Sequence, residues 1–332
     1  MGRASLNRLH LNRHSLSWLC WVAVLVASIV IMALLEHVET DILTSSIQLD
    51  QLYTFRVGAY ANLLLVASTV LYLWHTWSHS EAAGKWASDL AALATLGLLL
   101  SLVTRWIETY YLHRPGHVPL NGLYEMMASF SVITVLIYLV MERVYEVRSA
   151  GAFVMIIVLA SVLFQIWLVA TGQAVTGNHI PMLRSYWMYA HVLGNFVGYG
   201  AFAVAAAMGG AFLFRNRAEQ HHQTSGFAIC SLPDLQRIDR SMHHAVLLGF
   251  PLFTIATILG AMWAYEAWGR YWAWDPQETW AVIIWLVYAS YFCFRYIGKW
   301  SGQRMAWWSI IGFGITVFYF LGVRMLWPGL HA

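Results

Sequence analysis

The sequence predicts an all-α polytopic membrane protein, and three observations support this prediction. Of the 332 residues, 60% are hydrophobic and only 11% are charged, whereas about a quarter of the residues in soluble domains are charged. The mean hydropathy is +0.59. Apolar runs of about 20 residues, the length that spans a bilayer, recur along the chain. Phosphate-loop, GxSxG and HExxH patterns are absent from the sequence, which argues against the familiar soluble enzyme classes.

Nine apolar runs are long enough to cross a membrane, so we predict about nine transmembrane helices, with eight as the alternative. The runs centre on residues 18–35, 53–74, 89–111, 121–140, 151–171, 186–214, 244–267, 278–297 and 307–326. No small-residue cleavage site follows the first run, which favours a retained helix over a signal peptide. The sequence shows no internal repeat and no soluble domain.

The distribution of charge predicts the orientation of these helices. Residues 1–17 contain Arg3, Arg8 and Arg13, whereas the loop 36–50 contains acids and no Lys or Arg. Because cytoplasmic loops are enriched in Lys and Arg, we expect the N-terminus inside and the C-terminus outside. The predicted inner loops contain Lys85, Arg143, Arg148, Arg215, Arg217, Arg237, Arg240, Arg295, Lys299 and Arg304. The predicted outer loops contain chiefly Arg114, Arg184 and Arg270.

Residues 268–280, between two of the apolar runs, combine tryptophans with a predicted helix start. The tryptophans are Trp268, Trp272, Trp274 and Trp280. Indole rings favour a membrane surface, but an interfacial girdle explains one or two of them rather than four. Asp275 and Glu278 have the spacing of a capping box, so helix capping is the alternative to a binding role for these acids. A flat apolar ligand with carboxylates, such as haem, would match an indole shelf beside Arg270.

Two histidines are predicted to lie at the height of this segment. His191 follows the N-cap residue Ser185 and lies about 9 Å into a helix that starts at the outer surface. His331 comes just after the last span, in the C-terminal Gly-Leu-His-Ala. A neutral imidazole is a common ligand of haem iron, and an ordinary surface or core histidine is the alternative in each case. Trp187, His191 and Asn195 are spaced four apart, so Asn195 either orients the imidazole or only packs against it.

The tryptophan-rich segment resembles the WWD motif of membrane haem-handling proteins, and it looks most like that of the CcsA/ResC family of system II cytochrome c biogenesis. The shared pattern is Trp-Gly-x-Tyr-Trp-x-Trp-Asp-Pro-x-Glu-Thr-Trp, which begins at Trp268. The family also has a Tyr-Trp-x-x-x-His-Val pattern, matched by residues 186–192, and a terminal Gly-Leu-His, matched by residues 329–331.

The resemblance covers residues 118–331 and suggests a division of the chain into two parts. Residues 1–112 would form N-terminal transmembrane helices, and residues 113–332 would form a CcsA-like haem-handling domain. Within the second part, residues 119–125 resemble the family's Pro-Leu-x-Asn-x-Tyr-Glu run. Glu125 is near a helix start, where the helix dipole favours an acid, so we interpret it as structural rather than catalytic.

The resemblance implies that the chain binds haem b at an external site and presents it for thioether attachment to the Cys-x-x-Cys-His motif of apocytochrome c. The implied axial ligands of the iron are His191 and His331. The other implied haem-contacting residues are Trp187, Trp268, Arg270, Trp272, Trp274 and Asp275. No separate catalytic residue is implied, so the chain would be the haem-presenting part of a holocytochrome c synthase.

The resemblance also implies partners and a location. The expected partners are a ResB-like membrane protein, apocytochrome c and thiol-reducing proteins, and no nucleic acid is expected among them. The expected location is the plasma membrane, with several spans and a site on the outer face. For a plastid-encoded chain, the thylakoid membrane is expected instead.

The chain departs from the family pattern at one place, and other functions stay open. Family members commonly have a further histidine in the helix after the WWD segment, where this chain has Cys293 at or near that position. A cysteine thiolate can ligate haem iron, and inert packing is the alternative. His75, His243 and His244 lie near the predicted inner ends of other helices and could replace that histidine, but none of them matches a family pattern. Two alternative functions are a haem exporter and a haem-binding membrane subunit without ligation activity, although the repeats typical of transporters are not evident.

Overall fold

A computed structural model describes residues 48–112, 118–120, 122–174, 185–220, 232–323 and 326–327. Contacts divide the chain into two units, Met1–Tyr53 and Thr54–Ala332, and the candidate membrane spans of the described residues lie in the second. The span predicted at residues 18–35 lies outside the described residues, as does His331.

Eight long helices make up the described part of the chain. They are α1 Gln48–Ser78, α2 Glu81–Leu112, α3 Leu123–Tyr145, α4 Gly151–Ala170, α5 Tyr186–Gln220, α6 Leu235–Trp268, α7 Pro276–Phe292 and α8 Gln303–Val317. α7 and α8 continue as π-helical stretches, Cys293–Ile297 and Phe318–Val323. Each of the eight is long and apolar enough to cross a membrane, which confirms the predicted all-α polytopic class.

The helices extend beyond the apolar runs that predicted them. α6 begins at Leu235, well before residue 244, because Asp234 accepts a hydrogen bond from the Arg237 N–H at 2.7 Å and caps the helix. α5 continues to Gln220, past the predicted end at residue 214. Hydropathy therefore marks the apolar part of each helix, whereas capping residues and polar turns mark its true ends.

α5 and α6 pack closely along small residues. A Cβ added at Gly198 would lie 3.0 Å from the Cβ of Phe253, and one added at Gly249 would lie 2.9 Å from the Cβ of Ala201. Lipid tails are as apolar as leucine, so membrane helices associate through close packing of small side chains rather than through a hydrophobic driving force. The close approach brings backbone atoms of α6 within reach of side chains on α5.

Ion pairs and hydrogen bonds join the helices at one end of the bundle, here called the basic end. Glu142 of α3 accepts hydrogen bonds from Arg148 at 2.7 Å and from Ser88 of α2 at 2.6 Å. Asp239 of α6 forms a bidentate pair with Arg295, at 2.9 and 2.6 Å. The cations of the predicted inner loops lie at the helix termini of this end.

A buried arginine joins the helices at the opposite end, here called the site end. Arg105 of α2 donates to Glu125 Oε1 of α3 at 3.1 Å and to the carbonyl of Ala174 at 3.4 Å. Its guanidinium carbon lies 5.4 Å from the centroid of the Phe55 ring, and Glu108 Oε2 is 3.6 Å from one of its nitrogens. Glu125 therefore lies in a buried ion pair as well as near the start of α3, and its structural rather than catalytic role stays a prediction.

We predict that Arg105→Met destabilises the protein by about 3–5 kcal/mol, because removal of one partner leaves buried carboxylates uncompensated. The measurement is the thermal unfolding midpoint of the protein purified in detergent. Arg143→Met is the control, since Arg143 is exposed at the basic end. Equal midpoints for the two variants would contradict a structural role of the buried pair.

Candidate functional site

The loop 269–275 connects α6 to α7 at the site end. α6 ends where Gly269 adopts a φ of 72°, a left-handed conformation that favours glycine. Asp275 Oδ1 accepts hydrogen bonds from the N–H groups of Gln277 at 2.7 Å and Glu278 at 3.3 Å, and so caps α7. The Glu278 side chain bonds back to the backbone of Asp275, which confirms the predicted capping box.

Trp274 is held in a left-handed backbone conformation within this loop. Its φ is 58°, which is unfavourable for a residue other than glycine. Glu278 Oε2 accepts hydrogen bonds from the N–H groups of Ala273 at 2.6 Å and Asp275 at 3.3 Å, the two residues that flank Trp274. The acid that starts α7 thus also fixes the backbone turn that directs the Trp274 indole.

The four tryptophans of the segment have different surroundings. Trp272 and Trp274 meet edge to face with ring centroids 5.8 Å apart, and Trp274 is 74% exposed. Trp268 lies edge-on to Trp263 of α6 at 5.0 Å. Trp280 packs against the π-helical end of α8. Trp274 is therefore the outward-facing indole of the four, Trp272 is partly buried beside it, and Trp268 and Trp280 pack against helices.

His191 lies on α5 and contacts the backbone of α6. Ser185 caps α5, since its Oγ accepts the Trp187 N–H at 3.2 Å, and its hydroxyl donates to the Glu266 carboxylate at the end of α6. The imidazole Nδ1 is 2.7 Å from the carbonyl oxygen of Ala256. A carbonyl oxygen can only accept, so Nδ1 carries the proton and the lone pair of the neutral ring is on Nε2. Metal-ligating histidines are commonly oriented by such a bond from the other ring nitrogen.

Asn195, one turn further along α5, lies against the same imidazole. Its amide nitrogen is 3.1 Å from Nε2 and 3.4 Å from Nδ1 of His191. The Nε2 lone pair lies in the ring plane and points away from Nδ1, so an amide bonded to it would be much farther from Nδ1 than from Nε2. Because the two distances are nearly equal, the amide lies over the face of the ring instead. The contact expected from the four-residue spacing is present, and it supports the ring from its face.

Gly260 and Trp263 of α6 shape the pocket of the imidazole. A Cβ added at Gly260 would lie 2.5 Å from two ring atoms of His191. In the helix, the N–H of Gly260 donates to the carbonyl of Ala256, four residues earlier. Because Gly260 has no side chain beside that carbonyl, the His191 ring can approach it as a second donor. The Trp263 ring lies nearly parallel to the imidazole, at 22° and 6.4 Å between centroids. Neither residue was predicted from the sequence.

A small cavity joins His191 to the tryptophan-rich loop. It measures about 50 Å³, is partly open to the surface, and is lined by residues of α5, α6, α7, α8 and the loop. Its lining includes His191, Trp272, Gln277, Glu278 and Tyr319. The Trp272 Nε1 is buried and has no hydrogen-bond acceptor among the residues that the structure describes. A buried donor without an acceptor is costly, so this N–H favours a ligand that supplies one.

The other residues that the sequence singled out do not line this cavity. Trp187 is 43% exposed at the site end. Arg270 is exposed in the loop next to Tyr271, which does line the cavity. Cys293 is exposed at the opposite end of α7. The second predicted iron ligand, His331, is outside the described residues, so its position stays a prediction.

We predict that Glu278→Ala speeds hydrogen exchange of the Ala273 and Asp275 amides by roughly 2- to 30-fold, the range expected when a cap is lost. The carboxylate is the acceptor for both amides, so its removal releases the turn at Trp274. Gln277→Ala is the control, because its side chain lies in the same turn but outside the capping box. Unchanged exchange in Glu278→Ala would show that the carboxylate does not hold the loop.

Comparisons with known proteins place the chain in a family. The family described as Cytochrome C assembly protein matches residues 120–331. The cytochrome c biogenesis protein CcsA of Guillardia theta is 34% identical over 256 residues, which cover 72% of this chain and 82% of that protein. The protein of the same description from Synechococcus elongatus is 31% identical over 314 residues, which cover 82% of this chain and 95% of that protein.

The fold is similar to that of a solved structure. The cytochrome c haem lyase CcmF aligns with a TM-score of 0.59 and 17% identity over 83% of this chain. The match covers 47% of the CcmF chain, so this chain spans about half of its length. At this identity the likeness concerns the fold alone, whereas the family match and the sequence relatives extend over most of the chain. The chain belongs to the CcsA family of cytochrome c assembly proteins.

Proposed function

We propose that this chain holds haem b at the site end, on the outer face of the membrane, and presents it for attachment to apocytochrome c. The observation that carries the proposal is the contact of His191 Nδ1 with the Ala256 carbonyl, beside a cavity lined by Trp272. The relatives named for cytochrome c biogenesis and the fold neighbour named as a haem lyase support the same pathway.

The described residues fit a haem ligand in their chemistry. In its neutral form the His191 ring has its lone pair on Nε2, and neutral imidazole is the form that ligates iron. The buried Trp272 N–H lacks an acceptor among the described residues, and a haem propionate would supply one. The cavity of about 50 Å³ is far smaller than a porphyrin, so most of the haem would lie outside it. His331 is proposed as the second axial ligand, and exposed Arg270 is proposed to pair with a propionate.

Thioether formation would then depend on positioning. Each cysteine thiol of the apocytochrome motif adds across one vinyl group: the sulfur bonds to one vinyl carbon, the thiol proton ends on the other, and no electrons are lost. A site that holds haem and motif in attack geometry makes the step effectively intramolecular. We therefore assign no separate catalytic residue to this chain. A ResB-like partner and thiol reductants would deliver the reduced motif.

The charge distribution supports an outward-facing site. The Lys and Arg residues of the predicted inner loops lie at the basic end, whereas the loop 269–275 at the site end contains Arg270 alone. Because cytoplasmic loops are enriched in Lys and Arg, the site end would face the outside of the plasma membrane. In a plastid, the corresponding location is the thylakoid membrane.

We predict that His191→Ala abolishes the bis-histidine haem absorption spectrum of the purified protein, and that added imidazole restores it by filling the vacated position. His331→Ala is expected to behave in the same way. His244→Ala is the matched control, because the Nδ1 of His244 also lies 2.7 Å from a backbone carbonyl, that of Arg240, at the basic end. A wild-type spectrum in His191→Ala would refute the proposed ligand, and loss in His244→Ala alone would move the haem site to the opposite end.

We predict that Gly260→Ala weakens haem binding by roughly 10- to 100-fold, the effect typical of disturbing the support of a metal ligand. The added methyl group would displace the imidazole from the Ala256 carbonyl. The measurement is a haem titration followed by absorption. Gly314→Ala is the control, since a Cβ at this position in α8 meets no atom within 4 Å. Equal affinities for the two variants would contradict the role of Gly260.

A further inference from the structure

The turn between α7 and α8, at the basic end, forms an open groove of about 600 Å³. Its lining includes Lys299, Trp300, Ser301, Gln303, Arg304 and Trp307. The candidate haem site lies at the start of α7, so the length of this helix separates the two. The groove takes no part in the function proposed above.

Contacts with α6 and α7 hold this turn in place. Asp239 of α6, paired with Arg295, also accepts the Gly302 N–H at 3.0 Å. The backbone N–H of Trp300 donates to the backbone carbonyl of Phe294 at 3.0 Å. The side-chain rings of the same two residues stack with centroids 4.5 Å apart. Because the groove is already formed, a ligand would bind without the loss of conformational entropy that ordering its side chains would require.

Two cations of the groove have no acidic partner within the described part of the chain. Lys299 and Arg304 are both exposed, and neither occurs in an ion pair there. Asp239 of α6, the acid that anchors the turn, is already paired with Arg295. The Arg304 guanidinium lies 5.3 Å from the centroid of the Trp300 ring, which limits its range of positions. The groove therefore has a net positive charge suited to an anion.

An exposed apolar ridge of α8 continues from the groove toward the membrane interior. Arg304, Trp307, Ile311 and Gly314 are three or four residues apart and share one face of the helix. Trp307 is 51% exposed, Ile311 is 50% exposed, and a Cβ at Gly314 would meet no atom within 4 Å. In a membrane-spanning helix this ridge faces acyl chains. A free anion would use only the groove, whereas a lipid would use the groove and the ridge together.

We propose that this groove binds an anionic phospholipid, with its phosphate between Lys299 and Arg304 and an acyl chain along Trp307 and Ile311. Basic pockets beside transmembrane helices suit anionic head groups, and indole rings favour the head-group level. The bound lipid would brace the start of α8, whose continuation carries Tyr319 of the candidate site.

The test is native mass spectrometry of the full-length protein in detergent, titrated with phosphatidylglycerol or with phosphatidylcholine. The wild type is expected to bind phosphatidylglycerol more tightly. The double variant Lys299→Gln/Arg304→Gln is expected to lose roughly 30-fold in affinity for phosphatidylglycerol, as two surface cations predict, with little change for phosphatidylcholine. Both side chains are exposed, and an unchanged thermal midpoint would show that the variant folds.

The matched control is Lys85→Gln/Arg143→Gln, which removes the same charge from two exposed residues of the basic end. It is expected to bind both lipids as the wild type does. Equal loss in the two double variants would mean general surface charge and would overturn the site. Equal affinity of the wild type for the two lipids would also overturn it. Displacement of the lipid by millimolar inorganic phosphate would assign the groove to a soluble anion instead.

Discussion

The hydrogen bond from His191 to the Ala256 carbonyl is the interaction on which the candidate site depends. It requires a helix carbonyl that can accept a second donor, and Gly260, four residues later, leaves that carbonyl uncovered. It also requires α5 and α6 to lie close together, which the small residues between them allow. The hydroxyl of Ser185, bound to Glu266, joins the same two helices at the site end. One contact between helices thus sets both the position and the tautomer of the imidazole.

A different interaction, that of Glu278 with the backbone, positions the tryptophan-rich loop beside the cavity of His191. Glu278 caps α7, and its carboxylate binds the amides on both sides of Trp274. A loop of aromatic residues without this anchor would have to order itself around each ligand, at a cost in conformational entropy. The capping and binding interpretations of the two acids are therefore compatible, because the cap orders the loop whose Trp272 lines the cavity.

Much of the fold was predictable from the sequence, because long apolar runs, Asp275 with Glu278, and the cap at Ser185 depend on local spacing. The structural role of Arg105 was not predicted, since one charged residue changes the mean hydropathy of an apolar run very little. The roles of Gly260 and Trp263 could not be predicted, because they depend on which face of α6 meets α5. The strained φ of Trp274 has no sequence signature at all. The family resemblance singled out His191 and the loop, and in the structure His191 and residues of the loop line one small cavity.

The proposed function requires one iron bound by the imidazoles of both His191 and His331, with the indoles of the loop beside it. The most direct measurement is electron spin-echo spectroscopy of the ferric haem-loaded protein with isotopically labelled histidine, which counts the imidazole nitrogens bound to iron. If the proposed function holds, two such nitrogens are expected in the wild type and one in His191→Ala. A single imidazole in the wild type, or two in His191→Ala, would contradict it.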